Sequence, residues 1–360
     1  MNKTLVPARV TPPGKILQRE IEERGWTQKD LAEIINRPPQ VINEIIKGTK
    51  QITPETAIEL AKALGTSAEF WINLEANYRL HLAQKKYQEE EIERRSRLYT
   101  LAPISDLTRR GWIQSTESID ELEQYICEFL GIASPQETPQ ISVNFRHSQV
   151  LDPEFNRKMS WCKRVEQIAS KREVGDFRLD RLKAEIANLL NYTKNANDVA
   201  CVPQFLANLG IHFVILTHLN KTYLDGAVLY LGSNPVIALT LRHDRIDSFW
   251  FTLMHELGHI VSEHKGVYLD NLEDLEDNPE EAEANQLAGN WLVNEAKLDA
   301  FARQTKPKFS KQKIIDFARL QHRHPGIILG RLQHNGLVPY NNLRQLLVKV
   351  KPFLLDWIDE

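Results

Sequence analysis

The sequence predicts an α+β protein: an all-α N-terminal unit of five helices, a mostly helical middle, and a domain with a small β-sheet beside a buried helix. Three observations predict it. Residues 12–78 alternate short amphipathic stretches with cap and turn signals, residues 211–241 hold three apolar runs rich in β-branched side chains, and residues 249–261 repeat apolar side chains at helical spacing. A chain of 360 residues has room for two or three domains and a real core.

The first helix, residues 12–24, turns Ile16, Leu17 and Ile21 inward. Thr27 stands at an N-cap position, and residues 28–35 bury Leu31, Ile34 and Ile35. Asn36-Arg37-Pro38 makes a turn, residues 39–47 form a third helix, and Gly48 ends it where a left-handed residue is wanted. Thr53-Pro54 opens a fourth helix that Gly65 closes, and Ser67 caps a fifth that runs to residue 78.

Five short helices with a tight turn between the second and third describe a helix-turn-helix unit, whose third helix enters the DNA major groove. Gln40 and Asn43 would then face base edges, since amide side chains pair bidentately with adenine. Thr27, Gln28, Arg37, Lys47 and Lys50 would meet phosphates. Pro38-Pro39 stiffens the start of this helix but removes two N–H donors. Through residue 88, 13 Lys and Arg stand against 10 Asp and Glu, a net of +3; the whole chain is −3, so the remainder carries −6. That balance predicts modest affinity per monomer and a homodimer on a double-stranded operator.

Residues 84–99 are densely charged and read as a solvated connecting helix. Amphipathic stretches at 119–130, 161–169 and 181–190 continue a helical support region without chemistry of its own. The domain boundaries expected are therefore 1–85, 86–200, 201–300 and 301–360.

Residues 211–216, 227–231 and 236–241 read as strands, with Gly232-Ser233-Asn234-Pro235 as hairpin chemistry between the last two. Such a hairpin would lay an edge strand along a cleft, where a peptide could pair with it. The buried helix that follows carries His255-Glu256-Leu257-Gly258-His259. Its two histidines lie one turn apart on one face, a spacing that binds one Zn²⁺, and Glu256 is placed to take a proton from water as general base. Burying these groups is costly unless they are paired or hold a metal. Gly258, a poor helix former, makes sense if another segment approaches closely there.

A zinc site of this kind needs a third protein ligand. Beyond an acidic run from Asp270 to Glu283, Asn278 and Pro279 read as the cap and first turn of another helix. Glu281 and Asn285 share a face of it, which favours Glu281 as ligand and Asn285 as the hydrogen-bond partner of a ligating histidine. Glu283 is the alternative ligand, about 200° around the helix from Glu281. His264 is a further candidate, off the ligand face. An oxyanion donor is also expected; His324, Tyr223 and Tyr230 qualify by residue type, and no spacing selects among them.

Cys127, Cys162 and Cys201 are isolated and odd in number, which argues against a disulfide frame or a cysteine–zinc site. The N-terminus lacks an apolar signal region, and no apolar stretch reaches membrane-spanning length. A cytoplasmic protein without a membrane partner is expected.

FWFTLMHELGHIVSEH followed by EAEANQLAGNWLV resembles the ImmA/IrrE-type metallopeptidases, over roughly residues 100–350. PPGKILQREIEERGWTQKDLAEIINRPPQVINEIIKG and ITPETAIELAKALGTSAEFWINLEANYRL resemble the XRE-type helix-turn-helix domain, and more closely the HigA antitoxin subgroup. Together these resemblances imply a zincin-like domain joined to a DNA reader. The implied function is a DNA-binding transcriptional regulator whose zinc-dependent endopeptidase cleaves a partner regulatory protein, a repressor or a toxin–antitoxin component. The alternative they imply is a non-proteolytic HigA-like antitoxin or repressor whose peptidase-like domain is a sensor or docking platform.

Overall fold

A computed structural model describes residues 11–86, 89–137, 139, 153–264, 268–270 and 278–359. The chain divides into two units, Met1–Arg94 and Arg95–Glu360.

The first unit is all helical: α1 (Pro13–Glu23), α2 (Gln28–Ile34), α3 (Pro39–Ile46), α4 (Pro54–Leu64) and α5 (Ala68–Lys86). Thr27 caps α2 through a reciprocal pair of hydrogen bonds with Asp30, at 2.7 and 3.2 Å. Left-handed Asn36 makes the α2–α3 turn, and left-handed Gly65 closes α4. Helix α5 runs eight residues past the expected end, because residues 68–86 contain neither Gly nor Pro. Leu17, Leu31, Ile42, Leu60 and Trp71 lose all solvent exposure in one core. Each such burial stabilises by about 1.5–3 kcal/mol. The Trp71 indole N–H, which would be costly to bury alone, donates to Thr66 Oγ1 at 2.8 Å.

The second unit opens with α6 (Glu89–Leu101), which crosses the boundary between units, then α7 (Ile104–Arg109), α8 (Ile119–Leu130), α9 (Pro153–Ala169), α10 (Leu179–Leu189) and α11 (Val202–Asn208). The strands β1 (His212–Leu216), β2 (Gly226–Leu231) and β3 (Asn234–Leu239) lead into α12 (Ile246–Val261). After β4 (Tyr268–Asp270) come α13 (Pro279–Leu292), α14 (Glu295–Thr305), α15 (Lys311–Leu320), α16 (Pro325–His334) and β5 (Ile358–Asp359). Part of the expected acidic run, residues 271–277, lies outside the described residues. Among the described residues no helix is long and apolar enough to cross a membrane.

The five strands form one mixed sheet in the order β4-β2-β3-β1-β5. β2 and β3 are an antiparallel hairpin around Gly232-Ser233, while β1 runs parallel to both β3 and β5. The side-chain period of two splits the sheet cleanly. Phe213, Ile215, Val228, Ile237 and Leu239 face a core completed by α10 to α13 and α16. Val214, Leu216, Ala227, Leu229, Val236 and Ala238 face a second core built with α6 to α9. Because both faces are apolar, both must be covered, so residues 95–200 and 301–359 belong to the same unit as the sheet rather than to separate support and extension segments. The expected edge strand is also different. β2 is not an edge, because β4 pairs with it antiparallel from Gly226 to Val228.

Gly14 marks the closest approach in the first unit. A Cβ there would collide with the carbonyl oxygens of Ile45 and Ile46 and come within 2.7 Å of Ile46 Cα. These are backbone atoms, which cannot move aside. Gly14→Ala is expected to destabilise the N-terminal unit by about 3 kcal/mol, read as a lowered denaturation midpoint of the full chain with the Trp26 and Trp71 fluorescence as reporter.

Candidate metal centre

Helix α12 exists because Phe249, Trp250, Leu253, Met254, Leu257 and Ile260 bury an apolar surface around most of its circumference. Its polar residues His255, Glu256 and His259 are 0–1% exposed as well. The burial of the two histidines depends on α13, which packs across α12 at Gly258. A Cβ on Gly258 would stand 3.1 Å from Ala284 Cα and 3.4 Å from its Cβ, so the absent side chain lets the two helices close together. That approach is the physical reason for the glycine within the histidine spacing.

Asn278 caps α13, its side chain accepting from the Glu280 N–H at 3.1 Å. From there Glu281, 4% exposed, reaches back to the histidines. Its Oε2 lies 3.1 Å from His255 Nε2 and 3.5 Å from His259 Nε2, and the two Nε2 atoms are 3.0 Å apart. Four ligands at 2.0–2.1 Å around Zn²⁺ would be separated by about 3.3 Å. The donor set, two imidazole nitrogens and one carboxylate oxygen, therefore has both the chemistry and the spacing to hold a metal ion. Among the described residues, these three are the cluster of metal-ligating type that converges in this way.

The outward nitrogens of the two histidines are held differently. His255 Nδ1 lies 3.0 Å from Asn285 Oδ1, a contact that selects the tautomer with a proton on Nδ1 and leaves Nε2 as acceptor. His259 Nδ1 lies 3.0 Å from His264 Nδ1. His264 Nε2 in turn sits 3.4 Å from Glu283 Oε2, and Glu283 also accepts from Ser262 Oγ at 2.7 Å. Hydrogen bonds from Ser262 and then from His264 hold the exposed Glu283 carboxyl below the ordinary carboxylate range. Glu283 thus faces away from the histidine–Glu281 cluster. His264 and Glu283 form an outer chain behind His259, an arrangement that sequence spacing does not reveal. The signal available was position: a histidine just past the end of α12 can fold back on the last turn.

Glu256 is fully buried one residue from His255, on the side of α12 that meets β2. Gly226 opens β2 directly against its carboxylate. A Cβ at 226 would collide with Glu256 Oε1 and stand 2.8 Å from Thr252 Cγ2.

The expected oxyanion donors are not brought to this cluster with equal claim. His324 caps α16, its Nδ1 accepting from the Gly326 N–H at 3.0 Å, and Gly326 packs on Ile246 at the start of α12. His255 lies nine residues further along that helix, about 13 Å at 1.5 Å per residue. Burial holds the His324 imidazole below its ordinary range, offset in part by Asp247. Tyr223 is 54% exposed and lies against Arg242. Tyr230 stands at the far end of β2, where burial, and Glu263 beside it, raise its phenol.

In the N-terminal unit, α3 buries Ile42 and Ile45 and turns Gln40, Asn43 and Lys47 to the opposite face. Glu44 shares that face, accepting from Gln40 Nε2 at 3.0 Å and lying 3.8 Å from Lys50. Thr27 and Gln28 are at the start of α2, where Thr27 is used as the cap. Arg37 is engaged elsewhere. It forms a bidentate pair with Glu59 at 2.9 Å for both bonds, and those hydrogen bonds raise its pKa further. A phosphate would have to compete with Glu59 for it.

Two family models match this chain: "Helix-turn-helix" at residues 17–71 and "IrrE N-terminal-like domain" at residues 208–323. The second spans β1 through α15 and so contains the whole histidine–Glu281 cluster. Among curated proteins, Virulence-associated protein I of Dichelobacter nodosus is 34% identical over 21% of this chain and 71% of its own length. Antitoxin HigA-1 of Vibrio cholerae is 37% identical over 21% of this chain and 73% of its own. A solved addiction module antidote protein of a HigA family from Coxiella burnetii is 34% identical over 24% of this chain and 94% of its own, with a TM-score of 0.23.

Two measurements check the geometry. Glu281→Ala is expected to lose bound metal, whereas Glu283→Ala keeps it, as read by elemental analysis of the purified full chain. Equal retention in the two variants would sink the ligand set. Gly226→Ala should displace the Glu256 carboxylate while leaving metal content unchanged, since the alanine methyl reaches Glu256 and Thr252 but none of the three donors.

Proposed function

Because this chain belongs to the helix-turn-helix family and carries an IrrE N-terminal-like domain, we propose that it is a DNA-binding transcriptional regulator with a zinc-dependent endopeptidase that cleaves a partner regulatory protein. The observation that carries this reading is the convergence of His255, His259 and Glu281 with the Glu256 carboxylate buried on the neighbouring face of α12. A donor set of two imidazoles and one carboxylate leaves room for substrate at a fourth position.

His255, His259 and Glu281 would hold the zinc. When bound, zinc supplies Lewis-acid chemistry, polarising a peptide carbonyl and making water a better nucleophile near neutral pH. Glu256 accepts the proton of the attacking water and delivers it to the leaving amine. Its carboxylate is held against Gly226 at the start of β2, one residue along α12 from His255. Asn285 fixes His255, and His264 with Glu283 behind it fixes His259, so that both rings present Nε2 inward.

In the other unit, Gln40 and Asn43 would read base edges from α3, and Lys47 and Lys50 would bind phosphate. Glu44 on the same face can accept from a cytosine amino group. The chain acts as a homodimer on its operator, given the small positive balance of the unit. The similarity to an antitoxin of Vibrio cholerae supports a toxin or repressor as the cleaved partner.

One observation favours a second reading, a docking or sensing platform without turnover. β4 pairs along β2 beside Gly226, and so covers backbone that an incoming peptide would otherwise use.

The two readings separate on Glu256→Gln. Co-expressed with neighbouring gene products, it is expected to cut the rate of partner cleavage by about 10²–10⁴-fold with zinc content intact. A partner processed equally by both proteins would rule the peptidase out. For the DNA reader, Asn43→Ala should weaken operator binding by about 1–3 kcal/mol and relax sequence preference at one base pair. Unchanged preference would reject α3 as the recognition helix.

A further inference from the structure

Strand β4 is an edge strand of three residues. Tyr268, Leu269 and Asp270 pair antiparallel with Val228, Ala227 and Gly226 of β2. On its other side β2 is held by β3 over six residues, from Gly226 to Leu231. Removal of β4 therefore leaves β2 in place, with outer N–H and C=O groups that another strand can use. The pairing is one of main chain with main chain. Ala227 and Val228 bury their side chains in the two cores and Gly226 has none, so this edge of β2 offers hydrogen-bonding groups and little else.

The same edge lies beside Glu256. Gly226 meets the Glu256 carboxylate and Thr252, and toward the other end of β2 Glu263 stands beside Tyr230. β2 thus follows the half of α12 that carries His255, Glu256 and His259. Asp270 is opposite Gly226, one strand spacing of about 4.8 Å away. The backbone of β4 occupies the lane that an extended peptide takes when it adds to β2. β4 also stands in the chain between α12 and α13, which carry the three donors, yet those helices are locked to each other at Gly258 and Ala284. Loss of the β4 pairing leaves that contact as it is.

We propose that β4 is a displaceable internal occupant of the β2 edge: it blocks this lane in the resting chain, and an extended segment of the partner protein displaces it by pairing with residues 226–228 in the same antiparallel register. The inference rests on the endopeptidase reading and adds a control to it. Three residues are the lower limit of strand length, and each ladder bond stabilises only modestly. A partner segment that forms the same bonds, and whose carbonyl is also held at the metal centre, outcompetes such a strand. Its apparent affinity is the intrinsic one reduced by the fraction of chains in which β4 is displaced.

The test is binding to the zinc-loaded full chain, measured by calorimetry with two probes. Acetohydroxamic acid engages the metal alone, whereas trialanine hydroxamate also presents an extended backbone. Tyr268→Pro and Leu269→Pro, made singly, cover both phases of the ladder, because donors alternate along an antiparallel strand and proline has none. At least one of them is expected to bind trialanine hydroxamate about 5–50-fold more tightly than the unaltered chain does, with the affinity for acetohydroxamic acid unchanged in both. A second measurement needs no substitution. In the unaltered chain, amide exchange in peptic fragments that contain residues 268–270 is expected to quicken at saturating trialanine hydroxamate and to stay the same with acetohydroxamic acid. A trialanine affinity that neither proline raises, or fragments that stay protected under the bound tripeptide, overturns β4 as the occupant; binding of acetohydroxamic acid then leaves the metal centre and the endopeptidase reading standing. If neither probe binds a chain that holds stoichiometric zinc, the endopeptidase reading fails and this inference with it.

Discussion

The approach of α13 to α12 at Gly258 and Ala284 is the constraint on which the metal centre depends. Two histidines one turn apart already share a face of α12, but a pair is not a site. The third donor is on another helix, and carboxylate reach is short. Only with α13 lying almost on the α12 backbone does Glu281 come within 3.1 Å of His255 Nε2, and only then does Asn285, one turn further on, meet the same ring from behind. A larger residue at 258 would push α13 away and separate all four groups at once. The glycine's unfavourable helix propensity, about 1 kcal/mol, is small beside the cost of burying donors that do not converge.

The sheet imposes the second constraint. Alternate residues of β1, β2 and β3 are apolar on both faces, so the sheet is stable only as the middle layer of three. Helices α6 to α9 cover one face, and α10 and α11 join the later helices α12, α13 and α16 on the other. This holds α12 rigidly against β2, which in turn sets Gly226 against Glu256. The precision of the site is thus supplied by packing that begins more than a hundred residues upstream of it.

The parts legible in the sequence are those governed by local rules. The caps of α2, α4 and α13, the termination of α4 at Gly65, the span Ile119–Leu130 of α8 and the histidine pair of α12 all depend on residues within one or two turns of each other. The convergence of Glu281 with the histidines follows from helical phase, which also separates it from Glu283. What escaped depends on distant partners. Arg37 has the position of a phosphate contact, but Glu59 on α4 occupies it. His324 has the residue type of an oxyanion donor, yet α16 docks at the other end of α12. Residues 95–200 read as an independent support region because amphipathic helices do not announce what they cover, and here they cover the sheet.

Strand β5 pairs beside β1 in parallel, Ile215 with Ile358 and Leu216 with Asp359, and Arg172, just after α9, binds the Asp359 carboxylate at 2.7 Å. This gives the molecule an order of completion. During synthesis the N-terminal unit emerges whole, and at 5–20 residues per second the strand that borders β1 follows only after about 10–50 s. For that interval the nascent molecule is a finished helix-turn-helix module trailing an unclosed α/β layer. Any nascent or broken chain that lacks residues 358 and 359 leaves one side of β1 exposed, so loss of that strand selectively injures the half that carries the histidine–Glu281 cluster and spares the helix-turn-helix half.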